Sequence, residues 1–317
     1  MAAFTFSLCF LLSFTFLFVL VHPSSSSSAS PYLYPSTFSM NYNKMLTSFK
    51  IFIYPTTQRI TFYSPSASNF YDSVLNSAFI AQEPEEAHLF FVVFSPEVST
   101  RSQARLVREL RTKYPYWNRT LGADHFFISP EGIDFSSDRN ALELKKNSVQ
   151  ISVFPTVSGY LKWDGKTEEE LVEELRLDSE FVVETEPLDQ LGRVKTSKFC
   201  LFFYEAESTA DLTEAMAAGC VPVVIVDRPV QDFPLMDVLR WSEMALLIGN
   251  RRGGQGLKTV LGGVPEDRYE RMRELCVAAA HHMVWNAEPQ AYDAFHMVIY
   301  QLWMRRHTIR YTRREEF

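Results

Sequence analysis

Residues 195 to 241 read KTSKFCLFFYEAESTADLTEAMAAGCVPVVIVDRPVQDFPLMDVLRW, and this run constrains the fold more than any other part of the chain. Phe199 to Tyr204 is apolar enough for a strand covered on both sides. A polar loop follows, then an alanine-rich stretch closed by Gly219, then a second apolar run, Val221 to Val226, that ends directly on Asp227 and Arg228. The pattern predicts a compact βαβ unit. In such a unit the loop after the first strand turns backbone N–H groups and the positive helix end toward an anion above the sheet edge. A nucleotide phosphate is the obvious occupant.

Glu214 lies in the middle of the predicted helix, three positions after Asp211 and five after Thr209, with Ala215, Ala217 and Ala218 around it. The alanines allow close packing on the sheet, and a carboxylate there can accept both hydroxyls of a ribose. The same spacing suits a solvated Glu on an ordinary amphipathic helix equally well. Ser208 and Thr209 would face the phosphates with their backbone N–H groups, although Ser208-x-x-Asp211 also reads as a plain helix cap.

Upstream, the chain alternates in βα fashion from Phe49. Strands are predicted at 49 to 54, 88 to 94, 124 to 129 and 149 to 154, with helices near 71 to 80 and 102 to 113. Leu106, Val107, Leu110 and Tyr114 share one helical face, while LFFVVF reads as a strand buried on both sides. This predicts a parallel sheet with crossover helices. No GxGxxG is present, so dinucleotide binding is not indicated.

The character changes over 156 to 180, where an acidic helix, KTEEELVEELRLDSE, follows Asp164-Gly165. A domain boundary is placed there, giving an N-terminal Rossmann-like domain over 45–160 and a second over 161–300, with a helix end and basic tail over 301–317. Tyr269, Met272, Cys276, Ala279 and Met283 recur at helical spacing, and an aromatic helix runs through Trp303. The glycine-rich RRGGQGLKTVLGG at 251 to 263 lacks a Gly-Lys-Ser/Thr ending and is expected to be a mobile loop. The fold class is therefore α/β, two Rossmann-like lobes with a cleft between them.

A net charge of −7 argues against nucleic acid as the main partner, because phosphate-backbone binding needs a basic field. Residues 2 to 21 carry no charge and are long enough to cross a bilayer, and a serine run over 24 to 28 follows. Residues 1–28 are expected to be either a signal-anchor with a stem or a cleaved signal peptide. Cys9 falls in that segment, leaving Cys200, Cys220 and Cys276. With an odd number remaining, small buried roles are expected and no disulfide. One glycosylation sequon, Asn118-Arg119-Thr120, sits beside Tyr114, Tyr116 and Trp117, which are expected to bury it.

SKFCLF, the pair Glu214-Ala215, GCVPVVIVD and Trp241 together resemble the exostosin-type glycosyltransferases of family 47. The resemblance continues in PEEAHLFFV at 84 to 92 and YPYWNRTLGADHFF at 114 to 127. The run VDRPVQDFPLMDVLRWSEMALLIG is most similar to the plant members. The resemblance implies a GT-B fold and an inverting transfer from a UDP-sugar to a cell-wall polysaccharide. It also implies a Golgi membrane location through a type II anchor, with a first lobe that takes the acceptor. Glu214 would hold the donor ribose, helped by Ser208, Thr209, Asp227 and Arg228. With no Asp-x-Asp pair in the chain, metal-free stabilisation of the leaving diphosphate is expected, and no cofactor.

For the base, Asp124 and His125 are the candidates, since His titrates near neutral pH. A structural role competes, because active residues in such sheets follow a strand and this pair precedes one. The sequence also departs from the family pattern. Asp211 stands where members commonly carry Arg, and Glu131 stands near where a His-Asp pair is frequent. The stretch between the first domain and SKFCL is short as well. Arg193, Lys195, Lys198 or Arg228 could offset Asp211. These departures support an alternative, a non-catalytic partner in a complex with other glycosyltransferases, and a third reading is a secreted carbohydrate-binding protein.

Overall fold

The computed structural model describes residues 30–56, 60–130, 132–152, 168–183, 194–204, 209–226 and 232–314, with side chains to residue 306. The apolar segment at 2 to 21, Glu131, Arg193, Ser208, Asp227 and Arg228 lie outside the described residues. Among the described residues no helix is long and apolar enough to cross a membrane.

Strands β1 (Ile51–Ile53), β2 (Leu89–Phe91), β3 (His125–Ile128) and β4 (Val149–Ile151) form a parallel sheet in that spatial order. The ladders are shorter than the apolar runs. Val92, Val93 and Phe94 stay buried beyond the end of β2, so hydrophobicity marks covered backbone and overstates the paired length. Ile51 is also bonded on its outer side, donating to Phe79 O at 2.7 Å and accepting from Ala81 N at 2.8 Å. The chain therefore leaves β1, returns on its outer flank and then crosses to β2 on the inner one. A ligand crevice belongs at the carboxyl end of such a reversal.

Helix α1 (Pro35–Ser48), absent from the sequence-based expectation, buries Phe38, Tyr42 and Met45. Helix α2 (Pro65–Leu75) begins earlier than the predicted 71, because Ser64 caps Ala67 N and Pro65 fits the first turn. Helix α3 (Thr100–Lys113) is capped by Ser99 and buries Ala104, Val107 and Leu110. It is followed by α4 (Tyr116–Thr120) and α5 (Arg139–Asn147). In α4 the aromatics Tyr116 and Trp117 turn inward while Asn118 is exposed, which corrects the expected burial of the sequon.

The predicted βαβ unit is present. Strands β5 (Phe199–Phe203), β6 (Val221–Val226) and β7 (Leu246–Gly249) form a second parallel sheet, with Leu201 opposite Val223. Ahead of β5 lies α6 (Glu168–Arg176), and α7 (Thr209–Ala217) crosses from β5 to β6. Gly219 ends that crossing at φ 81°, in the left-handed region that glycine occupies without strain. After β6 come α8 (Trp241–Met244), α9 (Gly253–Gly262), α10 (Glu266–Ala280) and α11 (Ala294–Arg314). Two parallel α/β sheets make a Rossmann-like pair, in keeping with the GT-B reading.

Two expectations are corrected here. Most of the glycine-rich run is helix α9, with Leu257 buried. Its small residues let it approach α6, where Gly254 N donates to the Glu174 carboxylate at 2.9 Å. A Cβ on Gly254 would already touch Leu175 at 3.5 Å. Cys200 and Cys220, expected to be separate, form a disulfide with Cα atoms 5.7 Å apart. The α7 crossover returns Cys220 to the foot of β6, and Cys200 is registered against Pro222 two residues on. Cys276 is buried and donates to Met244 O at 3.1 Å.

Side chains of both sheets belong to one continuous apolar core. Helix α11 returns to the first sheet. Phe295 packs 5.9 Å from Phe70 and 6.2 Å from Phe79, and Trp303 meets Phe49 edge-on at 5.7 Å. Tyr42 of α1 stacks on Tyr292 at 4.1 Å. Buried aromatics such as Phe49, Phe70, Phe295 and Trp303 each contribute roughly 1.5–3 kcal/mol.

Candidate functional site

Helix α7 is held on its sheet by the buried Leu212, Ala215 and Met216, and its opposite side carries Asp211 and Glu214. Both carboxylates are exposed, one turn apart. They line one wall of a groove of about 960 Å³ whose floor is β5 and whose other wall is α6, with Lys258 and Leu261 of α9 nearby. Of the expected donor-binding set, the structure places Glu214 with its side chain accessible. Thr209 opens α7, and its side chain lies outside the described residues, as do Ser208, Asp227 and Arg228. Lys198, a candidate to offset Asp211, is held by Glu266 at 2.7 Å and lies 4.8 Å from the Tyr269 ring centre. Lys195 is exposed.

A second, more apolar cavity of about 240 Å³ opens between the sheets, at the carboxyl ends of β3 and β4. Ile128 and Ile151 approach it from the first sheet, Pro234 and Leu235 from beyond β6, and Trp285 from the segment before α11. Ser64, Ser66 and Ser152 supply hydroxyls. Such a cavity, apolar with a few polar groups, suits the faces and edges of a sugar ring. Helix α2 contributes Ser66, Ala67 and Phe70 to the lining, with its cap Ser64 beside them.

Asp124 and His125 are elsewhere. Both are wholly buried at the amino end of β3, with His125 Nδ1 2.8 Å from Asp124 Oδ1 and Nε2 2.8 Å from the Tyr54 hydroxyl. Arg119 meets the other carboxylate oxygen at 3.0 Å, and Phe90 stacks on the imidazole at 5.1 Å. Burial alone would raise the Asp124 pKa, but His125, Thr120 and Arg119 outweigh it and hold the group at about 2. Desolvation, reinforced by Asp124, pushes the Tyr54 phenol well up. An acceptor hydroxyl cannot reach a pair sealed in this way, so the geometry is that of a structural ion pair beneath the sheet.

The sequence reasoning passed over His282, which lines the interlobe cavity while only 1% exposed. Its Nδ1 lies 2.7 Å from Tyr292 O, which can only accept, so Nε2 accepts from the Tyr32 hydroxyl at 2.9 Å. Burial, with His281 adjacent, drives its pKa down to about 4 despite the opposing pull of the Tyr292 carbonyl. Asp293, 2% exposed, binds the backbone N–H of Gln290 and His296 at 2.7 and 3.1 Å and fixes the start of α11. The only local signal for either was a polar residue amid aromatics. Among the described residues no group of three His, Cys, Asp or Glu converges to hold a metal ion.

Comparison with known proteins bears on this arrangement. Residues 45–173 and 163–263 match the model of the Exostosin GT47 domain, in two stretches that overlap over residues 163–173. A probable glycosyltransferase of Arabidopsis thaliana is 25% identical over 344 positions, which span 87% of this chain and 72% of that protein. A second from the same plant is 25% identical over 346 positions, spanning 85% of this chain and 64% of its own length. A probable glucuronosyltransferase of Oryza sativa subsp. japonica is 25% identical over 300 positions, spanning 71% of this chain and 68% of that protein. An alignment of 344 positions that uses 87% of a 317-residue chain contains several dozen positions this chain lacks.

Proposed function

Because this chain belongs to the exostosin GT47 family, whose model covers its residues 45–173 and 163–263, we propose that it transfers a sugar from a UDP-sugar to a cell-wall polysaccharide. The observation that carries this reading is Glu214, exposed on the helix that crosses between two parallel strands, above an open groove. A carboxylate so placed accepts the two ribose hydroxyls, and the amino end of α7 favours the diphosphate. The acceptor glycan would occupy the apolar cavity between the sheets, with Trp285 as a platform for a sugar face. Transfer with inversion then needs one group to take the acceptor proton. The described lining of that cavity holds serines and the fully engaged His282 but no carboxylate, so none of its described residues is assigned as the base.

The Cys200–Cys220 disulfide suits a secretory setting, since disulfides persist in oxidising compartments. An anchor over residues 2 to 21 would hold the enzyme at the Golgi membrane.

Titration calorimetry with UDP tests the donor site. Glu214→Ala removes two charge-assisted hydrogen bonds, each worth roughly 1.5–3 kcal/mol, and is expected to weaken UDP binding at least tenfold. Equal affinity in variant and parent would remove Glu214 from the site. A second reading, a non-catalytic partner subunit, is favoured by one observation. Asp211 stands exposed one turn from Glu214, where its charge opposes a diphosphate.

A further inference from the structure

Helix α4 carries the one Asn-x-Ser/Thr sequon of the chain, Asn118-Arg119-Thr120, and the fold divides its side chains in an informative way. Tyr116 and Trp117, just ahead of it, turn into the core at 8% and 0% exposure. Arg119 and Thr120 bend to the buried Asp124. The guanidinium meets one carboxylate oxygen at 3.0 Å and the Thr120 hydroxyl donates to the other. Asn118 faces the opposite way. It is exposed, and among the described residues no hydrogen bond holds its amide. Helix α4 is a single short turn, ended by Leu121 in the left-handed region at φ 52°. Its neighbours therefore anchor this turn, while the Asn118 side chain contributes no bond to it.

We propose that Asn118 is a modification site that carries an Asn-linked glycan. An exposed acceptor asparagine is one requirement, and an oxidising compartment, which the Cys200–Cys220 disulfide independently suits, is another. The position also fits a bulky group. Asn118 lies at the amino end of β3, whereas the apolar cavity opens at the carboxyl ends of β3 and β4 and the groove beside Glu214 belongs to the second sheet. A glycan there leaves both free. Leu121, three positions on, is an apolar side chain left 43% exposed, and the first sugars would cover it.

In the transfer, the Asn118 amide nitrogen bonds to the anomeric carbon of an oligosaccharide carried on a lipid diphosphate. The bond from that carbon to the diphosphate breaks, and the amide gives up one proton as the lipid diphosphate leaves. The geometry also fixes when this happens. The transferring enzyme has to read the Thr120 hydroxyl, which in the folded chain is bound to Asp124, itself 0% exposed. Transfer therefore precedes the docking of α4 on Asp124, while residues 116–124 are still extended. The assignment rests on the secretory setting of the proposed function, and on neither its donor site nor its acceptor cavity.

The test translates the full-length chain, with its own amino-terminal segment, in the presence of microsomes, and takes the fraction that added protease does not reach. Peptide-N-glycosidase is expected to shift that fraction to the mobility of the unmodified chain, with residue 118 read as Asp in the peptide mass. Asn118→Gln is expected to lose the shift completely. Because Asn118 holds no described partner, this variant is also expected to keep the urea midpoint and UDP affinity of the parent made without microsomes. Thr120→Ser keeps both the sequon and the hydroxyl on Asp124, and is expected to retain the shift. Chain that has folded before microsomal enzymes are added is expected to stay unmodified. A shift that survives Asn118→Gln, or modification of the folded chain, would overturn the proposal. An unmodified Asn118 in protease-protected chain would overturn it while leaving the secretory setting in place, and a chain fully degraded by the protease would overturn both.

Discussion

At the scale of single residues, the proposed donor site turns on Asp211. Exposed in the first turn of α7, it would repel a diphosphate bound at that helix end. Replacing it with Arg exchanges repulsion for attraction, on the order of a few kcal/mol per contact at an effective dielectric near 20 before desolvation. Asp211→Arg is expected to tighten UDP binding while leaving uridine nearly unchanged, and calorimetry with both ligands checks it. His282 gives a second expectation. Its folded pKa is depressed from 6.5 to about 4, so its neutral form is the stable one. The corresponding stability is complete above pH 6.5 and is lost as pH falls toward 4, by about 3 kcal/mol. Urea midpoints measured across that window should fall in the parent and flatten in His282→Gln. Little of this was legible in the sequence. The Asp124-His125 pair was visible, and its place before a strand hinted that it was structural. His282, in contrast, takes its meaning from Tyr32, 250 residues away, and no local pattern encodes such a partner.

The elements themselves were more legible. Both parallel sheets and the βαβ unit followed from apolar runs and turn residues, because burial on both faces writes itself into consecutive positions. Helix α9 did not, since glycine is a poor helix former and only its packing on α6 offsets that cost. The Cys200–Cys220 bond was also missed. It joins residues 20 apart in sequence, and its geometry exists only once α7 has folded back. Closing a loop of that length stabilises by about 3 kcal/mol. Replacing both cysteines by serine is expected to lower the unfolding free energy by about that amount, measured in urea by circular dichroism, with β5 exchanging fastest.

For the whole molecule, the governing fact is that α11 completes the core of the first sheet through Phe295 and Trp303. Phe295→Ala should cost about 3–5 kcal/mol. Its effect should appear as faster amide exchange in β1 and β2, far from Phe295 in sequence, rather than in β6. The periodicity of that helix was readable, but its partner was not, because an apolar face does not say which of two sheets it will cover.

The same helix sets the order of biosynthesis. When β1 and β2 leave the ribosome, the aromatic surface that α11 will cover is still bare. Roughly 200 further residues must be made first, which at ~5–20 residues per second takes on the order of ten to forty seconds. Throughout that interval the emerging chain presents Phe49, Phe70 and Phe79 without Trp303 and Phe295 to close over them. Until α11 has been synthesised, the nascent chain therefore carries exposed aromatic surface of the kind that favours aggregation.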